Sequence, residues 1–188
     1  MAHVNYDYLA GFVDGEGSFI VTISPRKRKY GKTSLALYMW ISIGQSHDGM
    51  ELLENVADFL NKDGIKARVK FYRSEGKTEA QLRVAAINSL DKLCYRLSGK
   101  LLLKQETLEN FQLILQLRKE HSQQRPTFRF FKGFCGGGTL KCKKWTKNLI
   151  DYYRTIAIVW DNSYRAKNRE PHFYETKLFA ILKKMGIA

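Results

Sequence analysis

Two carboxylates set among glycines close the segment Tyr8-Leu9-Ala10-Gly11-Phe12-Val13-Asp14-Gly15-Glu16-Gly17-Ser18-Phe19. Apolar and small residues recur through it at helical spacing, and a strand-like alternation follows at once. Glycine inside a helix is unfavourable by roughly 1 kcal/mol relative to alanine. Gly11 and Gly15 stand four residues apart, so they share one face. Such a face lets another backbone approach closely, and a carboxylate at its end is positioned to hold a metal ion through oxygen.

The other candidate metal ligands are sparse. Cys94, Cys135 and Cys142 are the three cysteines. They cannot all pair within one chain, and they form no dense disulfide framework, which points to a reducing compartment. Cys135 and Cys142 with His121 match no common zinc spacing and lack a fourth ligand. The charge balance is more telling. Lys and Arg number 32 against 18 acids, a formal net charge of +14 over 188 residues. A chain this basic is expected to meet a polyanion, nucleic acid first among them. No apolar run is long enough to span a membrane, and no secretory signal is seen.

The elements that must hold these groups follow from period and punctuation. Asn5 is expected to cap the first helix, with Leu9, Phe12 and Val13 on its apolar face and Gly15 and Gly17 ending it. From Ser18 the period is two, with Phe19, Val21 and Ile23 on one face. Pro25 to Thr33 is a basic turn, Arg26-Lys27-Arg28-Lys29 its tip. The return strand, about Ser34 to Gln45, turns Leu35, Leu37, Met39, Ile41 and Ile43 inward.

Asp48-Gly49-Met50-Glu51 reads as a helix cap. The helix after it carries Leu52, Leu53, Val56, Phe59 and Leu60 and closes at Gly64. Next, Ile65, Ala67, Val69 and Phe71 alternate with Lys66, Arg68, Lys70 and Tyr72, and a return strand turns Ala80, Leu82 and Val84 inward. Asn88 is expected to cap a helix that ends at Gly99, and another runs from about Leu103 to Glu120. Trp145, Leu149, Tyr153, Ile156 and Trp160 recur at helical spacing as core, and Pro171 opens a last helix. The sum is an α+β chain. An αββαββα unit with a concave antiparallel sheet spans 5–120, C-terminal helices span 121–188, and the whole is read as one domain. The outward sheet face is polar, basic and aromatic. That composition suits a nucleic-acid groove, and a two-stranded ribbon fits the DNA major groove.

The opening motif together with this element order resembles the LAGLIDADG homing endonucleases. Leu9-Ala10-Gly11-Phe12-Val13-Asp14-Gly15-Glu16-Gly17 matches the family motif at nearly every position, with Glu16 in the place of its final acid. In that family two such helices pack through their small residues, and each delivers one acid to a shared metal site. Further along the chain the motif is echoed once, faintly. Phe131-Lys132-Gly133-Phe134-Cys135-Gly136-Gly137-Gly138 lacks both carboxylates and reads as a loop.

One motif implies a homodimer and a roughly palindromic double-stranded DNA target, with Ala10, Gly11 and Asp14 at the dimer interface, or Asp14 turned instead to capping. The implied activity is a Mg²⁺-dependent, site-specific cut of both strands. Glu16 and the Gly15 carbonyl would hold the metal. Glu16, Gln45 (ordering water) and Lys104 (near the scissile phosphate) would be catalytic, and His47 has no firm role. Hard divalent ions suit this chemistry, because charge develops on the phosphate, the attacking water and the leaving oxygen.

The outward residues Thr22, Ser24, Arg26, Arg28, Tyr38, Trp40, Ser42, Lys66, Arg68, Lys70, Tyr72, Gln81 and Arg83 would contact DNA. The alternative is a non-cleaving binder on the same scaffold, an intron RNA maturase or a DNA-binding regulator, which would need no acid at position 16. A chain of this kind is expected inside the cell, in an organelle or a prokaryotic cytoplasm.

Overall fold

The computed structural model describes residues 4–27, 33–74, 77–123, 140–163, 170 and 172–185. The expected order is present. Helix α1 (Tyr6–Glu16) leads into β1 (Gly17–Lys27) and β2 (Thr33–Ser46). A short 3-10 turn (His47–Gly49) precedes α2 (Met50–Lys62), then come β3 (Ala67–Ser74), β4 (Lys77–Val84) and α3 (Ile87–Leu97). Helices α4 (Gln105–Gln123), α5 (Leu140–Asp161) and α6 (Phe173–Lys184) follow. The four strands form one antiparallel sheet in the order β1-β2-β4-β3. Among the described residues no helix is long and apolar enough to cross a membrane.

The chain forms two compact units, one over Met1–Thr22 and Leu37–Glu109, the other over Ile23–Ala36 and Asn110–Ala188. In the first, alternation sends Leu37, Met39, Ile41 and Ile43 of β2 inward, with Ala80, Leu82 and Val84 of β4. Leu53, Val56, Ala57 and Leu60 of α2 and Leu90, Leu93, Cys94 and Leu97 of α3 are buried too. Helix ends use left-handed glycines. Gly64 (φ 75°) follows α2 and Gly99 (φ 73°) follows α3, a conformation that side chains with a Cβ seldom adopt.

Several local expectations are corrected. Asp48 does not cap α2: the residues around it form the 3-10 turn, and Gly49 stands at the N-cap with no side-chain hydrogen bond. Helix α3 starts at Ile87, so Asn88 lies inside its first turn rather than at its cap. Phe71 is 50% exposed despite its inward parity, because β3 is the edge strand of the sheet and Phe71 lies toward its far end. Lys66 precedes β3. Its amide donates to Ser89 Oγ at 2.9 Å, while the Asn61 side chain pairs with both backbone groups of Ala67.

In the second unit Tyr153, Ile156 and Trp160 are buried core residues of α5, as their spacing predicts. The Tyr153 hydroxyl donates to the Leu35 carbonyl at 3.0 Å. The Asp161 carboxylate accepts the amides of Tyr174 (2.9 Å) and Glu175 (3.1 Å), which caps α6 from outside the helix. Trp145 lies within α5, but its side chain, like Pro171, falls outside the described residues.

Candidate active site and nucleic-acid interface

Helix α1 is pinned at both ends and open along one face. At its start the Asn5 side chain accepts the Tyr8 amide at 2.8 Å, as a cap should. Tyr6 donates to Asp63, which also accepts from Lys92 (3.1 Å) and Arg96 (3.2 Å). The Tyr6 hydrogen bond, then that of Lys92, holds the Asp63 carboxyl down at about 2. Burial, reinforced by Asp63, pushes the Tyr6 hydroxyl up to about 12.

The other end is held by the turn before α4. The Asp14 carboxylate accepts the amides of Leu102 (2.6 Å) and Lys104 (3.0 Å). The Lys104 ammonium donates back to the carbonyls of Val13 and Gly17, both at 2.8 Å, and to Gly15 at 3.5 Å. A cation at a helix C-terminus meets the negative end of the helix dipole; the Val13 carbonyl also accepts the Gly17 amide, so Lys104 shares that oxygen. Lys104 therefore fixes the stretch of backbone that carries Glu16.

Glu16 itself is exposed, and its carboxylate has no hydrogen bond or ion pair with another described residue. The Gly15 carbonyl is beside it. This oxygen-only donor pair fits a hard cation such as Mg²⁺ or Ca²⁺, which prefers carboxylate, carbonyl and water ligands. One chain offers a single carboxylate there: among the described residues no group of three or more His, Cys, Asp or Glu could hold a metal.

The open face of α1 carries Tyr8 and Gly11 with Gly15. A side chain added at Gly11 or Gly15 would meet nothing within 4 Å, whereas one at Gly17 would run into the Val13 carbonyl at 2.5 Å. Ala10 was expected at an interface between copies, and Asp14 either there or as a cap. Both are turned into the chain's own interior, at 1% and 9% exposure. Asp14 spends its carboxylate on the α4 turn, so of the three expected residues only Gly11 stays on the open face.

Gln45 lies near the end of β2, paired with Ala80, and its side chain is half-buried against Gly49. A Cβ at Gly49 would come within 2.8 Å of the Gln45 Cβ, so the glycine makes room for Gln45. His47 is in the 3-10 turn; its side chain lies outside the described residues. His121 lies in the last turn of α4 with its ring stacked on Tyr152 at 4.1 Å.

On the outward side of the first unit's sheet, Cα partners run in rows across β2, β4 and β3. One row is Ser42–Arg83–Arg68, the next Gly44–Gln81–Lys70, the third Ser46–Glu79–Tyr72. Tyr38, Lys66, Arg68, Lys70 and Tyr72 are exposed; Thr22, Trp40, Gln81 and Arg83 are half-buried. Ser42 departs from expectation. Although its parity is outward, it is only 2% exposed, so its hydroxyl is closed off from anything docked on this face. In β1, Ser24 is half-buried and Arg26 exposed, while Arg28 falls outside the described residues. Two residues on the face were missed. Gly44 leaves open space opposite Gln81, and a glycine inside a strand pattern is the usual mark of such an approach. Glu79 brings one acid onto a basic surface, and its position two before Gln81 in the alternation could have shown it.

The sequence model of the LAGLIDADG endonuclease family matches residues 9–112, which takes in α1 from Leu9 on, the whole sheet and the Lys104 turn. The chain belongs to the LAGLIDADG endonuclease family. No curated protein sequence matches it. Solved structures of LAGLIDADG enzymes share its fold. The archaeal intron-encoded homing endonuclease I-Vdi141I, complexed with DNA, aligns with a TM-score of 0.62 and 19% identity over 97% of each chain. The homing endonuclease I-CvuI, in complex with its target in the presence of Ca, aligns at 0.61 and 18% identity, over 97% of this chain and 95% of its own. The homing endonuclease I-TnaI aligns at 0.60 and 18% identity, over 97% and 98%. These likenesses show the LAGLIDADG fold in this chain, extending through the C-terminal helices.

Proposed function

We propose that the protein is a homing endonuclease that cuts both strands of a long, roughly palindromic DNA duplex, using a divalent cation and two copies of the chain. The observation that carries this reading is Glu16: an exposed carboxylate without a partner among the described residues, at the end of a helix whose glycine face is open. Two such helices crossing at Gly11 and Gly15 would bring two Glu16 carboxylates and two Gly15 carbonyls together. One copy alone has too few ligands.

Glu16 and the Gly15 carbonyl would hold the cation, which when bound would stabilise the charge that develops on the phosphate oxygens. The chain's own residues do the positioning. Lys104 and Asp14 lock the end of α1, so Glu16 stays at a fixed height and orientation. Gln45, half-buried against Gly49, is suited to order a water. Exposed Arg68, Lys70 and Tyr72, with Gln81 and Arg83, supply the basic and amide donors for a duplex on the sheet. Thr22, Ser24 and Arg26 extend such donors along β1. A binder that never cuts has no need for the exposed acid, which favours cleavage over the maturase or regulator reading.

The test is a cleavage selection on a randomised duplex library with Mg²⁺. Enrichment of one pseudo-palindromic sequence, lost when the cation is chelated, supports the reading. The absence of any cut sequence, or cutting that survives chelation, counts against it.

A further inference from the structure

The Arg83 guanidinium lies over the Trp40 ring, its central carbon 4.1 Å from the ring centroid. The two residues stand on neighbouring strands: Arg83 is the Cα partner of Ser42, two residues from Trp40. The Arg83 side chain makes no hydrogen bond or ion pair with another described residue, so its flat face is occupied while its N–H donors have no partner among them. Its cross-strand partner on β3 is Arg68, also a cation and exposed. Like charges directly opposite across a sheet are destabilising, and an acceptor-rich ligand relieves them. Ser42, the partner of Arg83 on β2, is buried.

A cation–π stack removes much of the rotamer freedom an exposed arginine would otherwise lose on binding. It also fixes the plane of the guanidinium. A planar fork with fixed orientation, its donors without a partner among the described residues, suits one base edge: the two acceptors, O6 and N7, that guanine shows in the major groove. We propose that Arg83, held on Trp40, reads one guanine in each half of the target, with Trp40 as its positioning residue rather than a base-stacking platform. This rests on the DNA-endonuclease reading above and adds the residue that sets specificity at one position.

The experiment measures binding and cleavage selectivity on the wild-type target and on duplexes carrying each other base at every guanine. Arg83→Lys keeps the charge and loses the fork. It should flatten the preference at one symmetric pair of guanines by about 10- to 100-fold while leaving other positions unchanged. Trp40→Leu should weaken the same preference, and at that position only, by about 3- to 10-fold; Trp40→Phe should restore part of it.

Uniform weakening across all sequences, with the salt dependence of binding reduced by about one phosphate contact, would make Arg83 a backbone anchor and overturn the proposal. An unchanged selection profile in both variants would overturn it as well, while leaving the nuclease reading intact. A wild-type protein that selects no duplex at all would remove both.

Discussion

Asp14 and Lys104 fasten each other's segments. The Asp14 carboxylate accepts the Lys104 amide at 3.0 Å, and the Lys104 ammonium donates to the carbonyls on either side of Asp14-Gly15-Glu16, at Val13 and Gly17. The acid next to the candidate metal ligand thus builds the mount, and Glu16 is left to bind. A lysine that would otherwise be a solvated surface charge becomes the cap of the helix that carries Glu16.

Removing either half of this mount should loosen it. Asp14→Ala leaves the Leu102 and Lys104 amides without their acceptor, a loss of about 2 kcal/mol, seen as a melting temperature lower by roughly 4–8 °C for a chain of this size. Lys104→Met should lower the cleavage rate at least about 10-fold, since each 1.36 kcal/mol of lost transition-state stabilisation is tenfold in rate. DNA affinity should change little. A variant that cuts at the wild-type rate would show that the mount is dispensable.

The glycines of α1 separate assembly from folding. Gly11→Leu meets open space within the chain, so the monomer should keep its fold and gain up to about 1 kcal/mol of helix propensity. Sedimentation should show the wild type as a dimer at micromolar concentration and the variant as a monomer without cutting activity. Gly17→Ala should do the reverse damage, destabilising the chain itself through the Val13 carbonyl. A Gly11→Leu dimer of normal activity would move the interface elsewhere.

Acid stability should carry the signature of Asp63. Its carboxyl is held down from 3.8 to about 2, so the native state gains from it above pH 4 and loses that gain as pH falls from about 4 to 2. Tyr6, raised from 10.0 to about 12, acts at the other extreme: its contribution is full below pH 10 and is lost between 10 and 12. Urea midpoints measured across pH for wild type and Asp63→Asn should converge below pH 2 and separate above 4. Parallel curves throughout would mean that the Tyr6–Lys92–Arg96 cluster does not matter to the fold.

Much of this was readable in the residues, for identifiable reasons. Strict alternation in β2 and β4 and the apolar stripe of α2 gave the αββαββα order, because burial of one face leaves little freedom of register. Gly11 and Gly15 declared an open helix face through their helix penalty alone.

What stayed hidden depends on distant partners. Asp14 and Lys104 are ninety positions apart, and no local pattern tells whether a carboxylate caps a remote turn or faces a second copy. Ser42 has the parity of an exposed residue and is covered by its neighbours. Phe71 has the parity of a core residue and sits toward the far end of an edge strand. The Asp48 and Asn88 caps failed because neighbouring backbone supplied another way to start each helix.

The account stands or falls on Glu16. The decisive measurement compares wild type and Glu16→Gln on the duplex that wild type selects, scoring binding and strand cleavage side by side with Mg²⁺. The expected result is equal binding, a dimer in both cases, and no cleavage by the variant. Cleavage by Glu16→Gln at a rate near that of the wild type would contradict the central claim that paired Glu16 carboxylates hold the cation that cuts DNA.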